Sequence, residues 1–332
     1  MYRKINHIKE TNGLFLLDKK LYTFLNDRQV LGEFNLKGKL LWSTDSSPIN
    51  YRYHIDLQHI FFYKNYEGSD FTVLNRTTKN IIHESKIELD ISNNYFFKNT
   101  LYSFVNDKLI VYSIDFFSVI QVRDDFVEGV IMLPISNFII SKKKSYIYIY
   151  NHFSLLWQQN IQDFFSKEEE IEIYSVHPYK NTFIVIAKMG IVCISQKDGS
   201  LIWKSDYYAR TMEIVDHYGY VCTSLSFYRV DLDTGEFYNY NRKYSRLPDF
   251  EYNGENHWPS GHKVVYHNGL LWYDVYSSKH PFIIAIDPET ATYQWIYEIK
   301  DTYEDIEEIR FYDNKMFVTD TGNNLFIYEE KN

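Results

Sequence analysis

The chain has 332 residues, 45 % of them hydrophobic and 18 % aromatic, with 31 Tyr and 24 Phe; such a chain buries a large core, which excludes intrinsic disorder. Its 35 Lys and Arg against 44 Asp and Glu leave a formal charge of −9, and without a basic stripe to neutralise phosphates nucleic acid is not expected as a partner. Alanine occurs only at Ala187, Ala209, Ala285 and Ala291, so few helices are expected and strands of Tyr, Phe, Ile and Val should dominate.

The first unit spans residues 13–45. Gly13 to Leu17, Leu21 to Leu25, Val30 to Leu36 and Lys39 to Ser43 read as four short antiparallel strands, turned at Asp18-Lys19-Lys20 and Lys37-Gly38. Four such strands make one propeller blade. The same grammar returns over 51–88, 95–124, 129–159, 171–206, 211–244 and 262–300. Lys142-Lys143-Lys144, the one tight basic run, reads as a hairpin tip. Three strands remain at the end, Ile306 to Phe311, Lys315 to Thr319 and Leu325 to Tyr328. A strand-like segment over 2–10 stands unused before the first unit. The N-terminal strand is therefore expected to complete the last blade and close the ring, because an open ring leaves two unpaired sheet edges. The reading is all-β, a single β-propeller domain over 1–332, eight-bladed at about 41 residues a blade. Seven blades is the alternative, if the second or third unit is misread.

Trp42, Trp203 and Trp295 each fall four residues after a turn position held by Gly38, Gly199 or Ala291, and Trp157 stands 46 residues before Trp203. These four are expected to pack as structural blade tryptophans. Glycine supplies the left-handed turn, so Ala291 should strain or reshape its turn.

Asp-x-x-Thr-Gly-x-x-x-Trp hairpins repeat along the chain, most clearly at Asp287 to Trp295 and Ser195 to Trp203, with a partial copy at Asp231 to Asn239. In these hairpins the chain resembles the PQQ-like, quinoprotein-dehydrogenase-like β-propeller family. The resemblance implies a fold, and fold does not imply function. The quinoprotein enzymes of that family are exported and carry adjacent cysteines and a calcium-binding acid cluster. This chain has neither a Cys-Cys pair nor an evident signal peptide, so no cofactor is expected. The lipoprotein scaffolds of outer-membrane assembly share the fold but need a lipidated N-terminal Cys. Cys193 and Cys222 both lie in apolar runs and read as buried thiols. No run approaches a membrane span, and the expected compartment is the cytoplasm, with no membrane partner.

In such a propeller the hairpins joining first to second and third to fourth strands share one face, and here they are short; Asn268-Gly269 is a type I′ signal. The opposite face holds the long connections: Asn65 to Asp70, Asp163 to Glu170, Asp206 to Thr211, Arg242 to Gly261, Ser277 to Pro281 and Lys300 to Asp305. Length concentrated on one face points to binding. Arg242 to Gly261 is the largest element, and its Tyr244, Arg246, Phe250, Tyr252, His257 and Trp258 are of the residue types that dominate interfaces. The acids around Glu168-Glu169-Glu170, Glu172 and Asp301 to Glu308 lie on that face too, where they would steer a basic partner.

His257, His262 and His267 are spaced five apart, which alternates faces in a strand and does not suit zinc. Asp56, Glu172, Glu213 and Asp216 stand near inner strands, where two converging acids would support glycoside hydrolysis. There is no nucleophile-elbow, P-loop or dinucleotide signature. The sequence therefore reads as a binding or scaffold module for a protein partner, with no catalytic or metal residues assigned. An immunity-type or sequestering protein is one version, and a carbohydrate hydrolase acting through channel carboxylates is the alternative.

Overall fold

The computed structural model describes residues 1–44, 53–63, 71–86, 94–97, 99–105, 108–124, 130–135, 138–151, 153–165, 171–223, 226–240, 247–277 and 279–331. They form eight four-stranded antiparallel sheets with next-neighbour strand order and one two-stranded hairpin. These are the blades of an eight-bladed β-propeller, so the eight-blade expectation holds over seven.

The chain divides into two compact units. In the unit over 5–159 the first blade is β2 (Thr11–Leu17), β3 (Lys20–Leu25), β4 (Val30–Asn35) and β5 (Leu40–Ser43). The second is β6 (Tyr53–Ile55), β7 (His59–Tyr63), β8 (Phe71–Asn75) and β9 (Ile81–Ser85). The third is β10 (Asn94–Phe97), β11 (Thr100–Val105), β12 (Lys108–Ser113) and β13 (Ser118–Arg123). The fourth is β14 (Val130–Ile135), β15 (Phe138–Lys143), β16 (Tyr146–Asn151) and β17 (Ser154–Asn160). Middle strands are buried on both faces, as in β3 and β8, whereas fourth strands turn side chains outward: Leu40 and Leu41, Ile81 and Ile82, Ile120 and Val122, Leu155 and Leu156 are all exposed.

The other unit comprises 1–4 and 160–332. Its blades are β18 (Ile173–Tyr179), β19 (Thr182–Ala187), β20 (Gly190–Ser195) and β21 (Leu201–Ser205), then β22 (Thr211–Val215), β23 (Tyr218–Cys222), β24 (Phe227–Asp231) and β25 (Phe237–Asn239). After the hairpin β26 (Phe250–Tyr252) and β27 (Glu255–His257) comes the blade β28 (Val264–His267), β29 (Leu270–Val275), β30 (Phe282–Ile286) and β31 (Tyr293–Glu298). The last blade has the order β1-β34-β33-β32, made by β32 (Ile306–Tyr312), β33 (Lys315–Asp320), β34 (Leu325–Glu330) and the N-terminal β1 (Tyr2–Ile8). The expected completion of that blade by the N-terminal strand is observed.

The third-to-fourth-strand turns share one construction. The Asp231 carboxylate accepts the N–H groups of Asp233 and Thr234, and the Gly235 N–H bonds back to the Asp231 carbonyl at 2.8 Å. Asn75 and Asp287 build the same turn, which ends in a left-handed residue: Lys79 at φ 63° and Ala291 at φ 54°. Ala291 was expected to strain or reshape its turn. The Asp287 cap keeps the geometry unchanged, and the cost is about 1 kcal/mol of left-handed strain.

The turn seats against the preceding blade. A Cβ on Gly235 would stand 2.8 Å from the Trp203 ring, and the Trp203 indole N–H donates to the Leu232 carbonyl at 3.0 Å. Trp42 packs in the first-to-second-blade cluster with the Lys79 ammonium over its ring at 4.8 Å. Trp295 packs with Tyr2 and Trp272, and Trp157 is half-buried on β17. Ion pairs tie the same turns backward: Lys180 to Asp233 at 2.6 Å, Arg229 to Glu289 at 2.7 Å and Arg76 to Asp18 at 2.8 Å. The deepest is Glu33, 2 % exposed, which takes Lys20 at 2.5 Å and also Lys79.

Candidate functional site

The described parts of the connections over 206–211, 247–261, 277–281 and 300–305 adjoin one another. Between β25 and β28 the chain does not run as a plain loop: Asn253 at φ 52° and Gly254 at φ 79° make a tight turn that pairs β26 with β27. That Asn-Gly pair was a readable hairpin signal. The hairpin folds onto its own blade. Phe250 is 4 % exposed and meets Phe282 edge-on at 5.6 Å, His257 stacks on Phe250 at 5.4 Å, and Tyr252 meets Phe282 at 5.3 Å. Leu247 is buried beneath it, and the Tyr293 hydroxyl donates to the Pro248 carbonyl.

The six residues singled out in this segment therefore separate. Phe250 is a core side chain, Tyr252 and His257 are partly buried in its support, and Trp258 is 54 % exposed. Tyr244 and Arg246 lie outside the described residues.

Neighbouring connections adjoin the hairpin. The Thr211 hydroxyl donates to the His262 carbonyl at 2.8 Å, and the Tyr276 N–H donates to the Ser260 carbonyl at 2.6 Å. Lys279 pairs with Glu255 at 3.1 Å, His280 Nδ1 lies 2.7 Å from the Thr302 carbonyl, and the His280 ring stacks on Tyr303 at 4.4 Å. Exposed aromatics crown these connections: Tyr207 44 %, Tyr208 46 %, Trp258 54 % and Tyr303 76 % exposed. The sequence reading named only Trp258 of these four. The others belong to connections expected on the same face, and Tyr residues in short loops carry no signal of exposure.

Beneath the face lies a buried polar knot. Asp274, 0 % exposed on β29, accepts the N–H groups of His262 at 2.8 Å and Lys263 at 2.5 Å through Oδ1, while Oδ2 has no partner. The Cys222 thiol and Tyr273 hydroxyl both donate to the Gly261 carbonyl, at 3.4 and 3.3 Å. Burial pushes the Asp274 carboxyl up to about 7 and the Cys222 thiol well above its usual range. Cys193 and Cys222 are free and buried, as expected.

The other sequence candidates do not gather into a reaction centre. Asp56 accepts the N–H groups of Gln58 and His59 and the His59 ring, all at 3.0 Å or less, and so closes a turn. Glu213 accepts the Tyr266 N–H at 3.1 Å, and burial raises its pKa. Glu172 is exposed, and Asp216 sits in an exposed turn at φ 55°. His262 Nδ1 lies 3.0 Å from the Gly261 carbonyl, and His267 stacks on Phe311 at 4.0 Å. Among the described residues no three His, Cys, Asp or Glu side chains are placed to hold a metal. Glu168-Glu169-Glu170 and Asn65 to Asp70 lie outside the described residues. Asp301 pairs with Lys4 at 2.6 Å, and Glu304 accepts the Thr321 hydroxyl at 3.2 Å.

No family model matches the sequence, and no curated protein sequence does either. The fold has solved counterparts. The computationally designed Ika8 protein is similar with a TM-score of 0.68 at 12 % identity, over 97 % of this chain and 96 % of that one. BamB from Moraxella catarrhalis is similar with a TM-score of 0.66 at 8 % identity, over 99 % of this chain and 100 % of that one. At such identities the likeness is one of fold alone. No helix among the described residues is long and apolar enough to cross a membrane.

Proposed function

We propose that this propeller is a non-catalytic binding module for a protein partner and that the partner docks on the long-loop face of the unit over 160–332. The observation that carries the reading is the set of exposed aromatics Tyr207, Tyr208, Trp258 and Tyr303 on adjoining connections. Large amphipathic rings held by a rigid scaffold are what protein interfaces use as anchors. The buried Phe250, Leu247 and Asp274 give the hairpin that rigidity, so Trp258 is presented with little ordering cost. A scaffold, sequestering or immunity-type role, the PQQ-like repeat ancestry and a cytoplasmic setting with reduced thiols belong to the same reading. Candidate hydrolytic acids that close turns or accept backbone N–H groups favour it over carbohydrate hydrolysis.

The test is capture of a stoichiometric partner from native lysate, followed by affinity measurement with the purified partner. Trp258→Ala combined with Tyr303→Ala should weaken binding about 30-fold or more, as loss of anchors does, with thermal stability unchanged. Unweakened binding by this variant would remove the loop face as the site. The exposed aliphatic pairs on the fourth strands would then be the surface to alter.

A further inference from the structure

The unit over 160–332 contains a cavity of about 240 Å³ that shares no lining residue with the exposed aromatics of the loop face. It is lined by Tyr2 of β1, His267 and Asn268 at the end of β28, Leu270 and Trp272 of β29, Gln294 and Trp295 of β31, and Glu330 of β34, with Met1 at its edge. The aromatic walls are set at steep angles to one another. Tyr2 meets Trp272 at 5.3 Å and 82°, Trp272 meets Trp295 at 5.4 Å and 61°, and Tyr2 meets Trp295 at 6.4 Å and 65°.

Two polar atoms in these walls are unanswered within the fold, and a partly exposed carboxylate stands beside them. Tyr2 Oη and His267 Nε2 are buried with no hydrogen-bond partner. Buried polar atoms in that state cost the fold stability unless something else satisfies them. Among the described residues the Glu330 carboxylate has no ion-pair partner, whereas its neighbour Glu329 takes both Arg3 and Lys315. Burial lowers the His267 pKa, so at neutral pH its ring is uncharged.

We propose that this cavity binds a small organic cation, an ammonium of about the size of a choline or short alkylamine, with the Tyr2, Trp272 and Trp295 rings as its walls and Glu330 as its counter-charge. Ring faces carry negative quadrupole density and attract ammonium groups, most strongly where water is excluded. A neutral ligand would gain nothing from the Glu330 charge, and an anion would be repelled by it. The volume falls below the range for drug-sized ligands, which limits the occupant to a few heavy atoms. Tyr2 lies on the N-terminal strand that completes the last blade, so occupancy also pins that strand to β29 and β31 of the preceding blade.

The experiment is a titration of the intact protein followed by tryptophan fluorescence and calorimetry, at constant ionic strength. The probes are choline, n-butylammonium and 3,3-dimethylbutanol, the last being an uncharged isostere of choline. At least one ammonium should saturate with Kd on the order of 1 mM or tighter, and the alcohol should bind at least about 10-fold more weakly. Glu330→Gln should weaken the cation about 10-fold without altering the unfolding midpoint. Gln294→Glu, an exposed change on the same rim, should tighten it and serves if Glu330→Gln proves unstable. Absence of saturable ammonium binding, equal binding of the alcohol, or indifference to both variants overturns the proposal. None of these results bears on the loop face.

Discussion

Replacing Asp274 by Asn should stabilise the protein most at alkaline pH, less in mild acid and hardly at all near pH 3. The Asp274 side chain is completely buried, and its pKa stands at about 7 in the folded chain against an ordinary 3.8. The dominant cause is loss of solvation, which the N–H groups of Lys263 and His262 and the Lys263 charge offset only in part. The neighbouring Cys222, Tyr273 and Tyr276 groups are all pushed up by burial and stay neutral. On raising the pH the unfolded chain loses the Asp274 proton near 4, while the folded chain keeps it until about 7. Across that window the folded state binds more protons, so stability falls as pH rises, and the loss is complete above 7. The interval corresponds to a cost on the order of 4 kcal/mol. Asn keeps a carbonyl oxygen for the His262 and Lys263 N–H groups and places a neutral donor where the protonated carboxyl has one. Urea unfolding of both proteins between pH 3 and 9 measures the effect. The variant should gain about 4 kcal/mol over the parent at pH 8, about 2 kcal/mol at pH 5 and about nothing near pH 3. Parallel pH profiles, or a variant less stable than the parent at pH 8, would refute the reasoning.

Three further outcomes follow from the blade contacts. Gly235→Ala should cost about 2 kcal/mol in chemical denaturation, because the residue sits at φ 78° and its Cβ would stand 2.8 Å from the Trp203 ring. Glu33→Gln should cost about 3 kcal/mol at pH 7, since Lys79 keeps its charge at a mostly buried site without a counter-charge. Hydrogen bonds and charge from Lys20 and Lys79 outweigh burial and hold the Glu33 pKa below its ordinary value, so this deficit should shrink as pH falls through the carboxylate range. His54, stacked on Phe96 at 4.1 Å, has its pKa lowered to about 4 by burial against an ordinary 6.5. The unfolded chain therefore gains that proton first, and stability should fall by about 3 kcal/mol as pH drops from 6.5 to 4; His54→Phe should flatten this acid limb in the same denaturation assay.

Most of the architecture was legible in the residues themselves. Strand alternation, turn residues such as Asn268-Gly269 and the Trp spacing are local signals, and the first, fifth and seventh blades follow them closely. Counting strands also assigned β1 to the last blade, because a sheet edge left unpaired is costly wherever it lies. What tertiary structure decided was exposure. Phe250 and Trp258 look alike as aromatic residues of one long connection, yet Phe282, Tyr293 and Leu247 cover the first and leave the second in solvent. Tyr303 and Tyr2 are each followed by a charged residue, yet one is 76 % and the other 5 % exposed. Likewise Asp274 reads in sequence as one more strand carboxylate; only the return of Gly261-His262-Lys263 over β29 removes it from water and shifts its proton affinity. Local pattern determines which strands form because hydrogen bonding and alternation act over a few residues. Burial, charge state and cavities depend on which distant segments arrive at the same place, and no short window of sequence contains that.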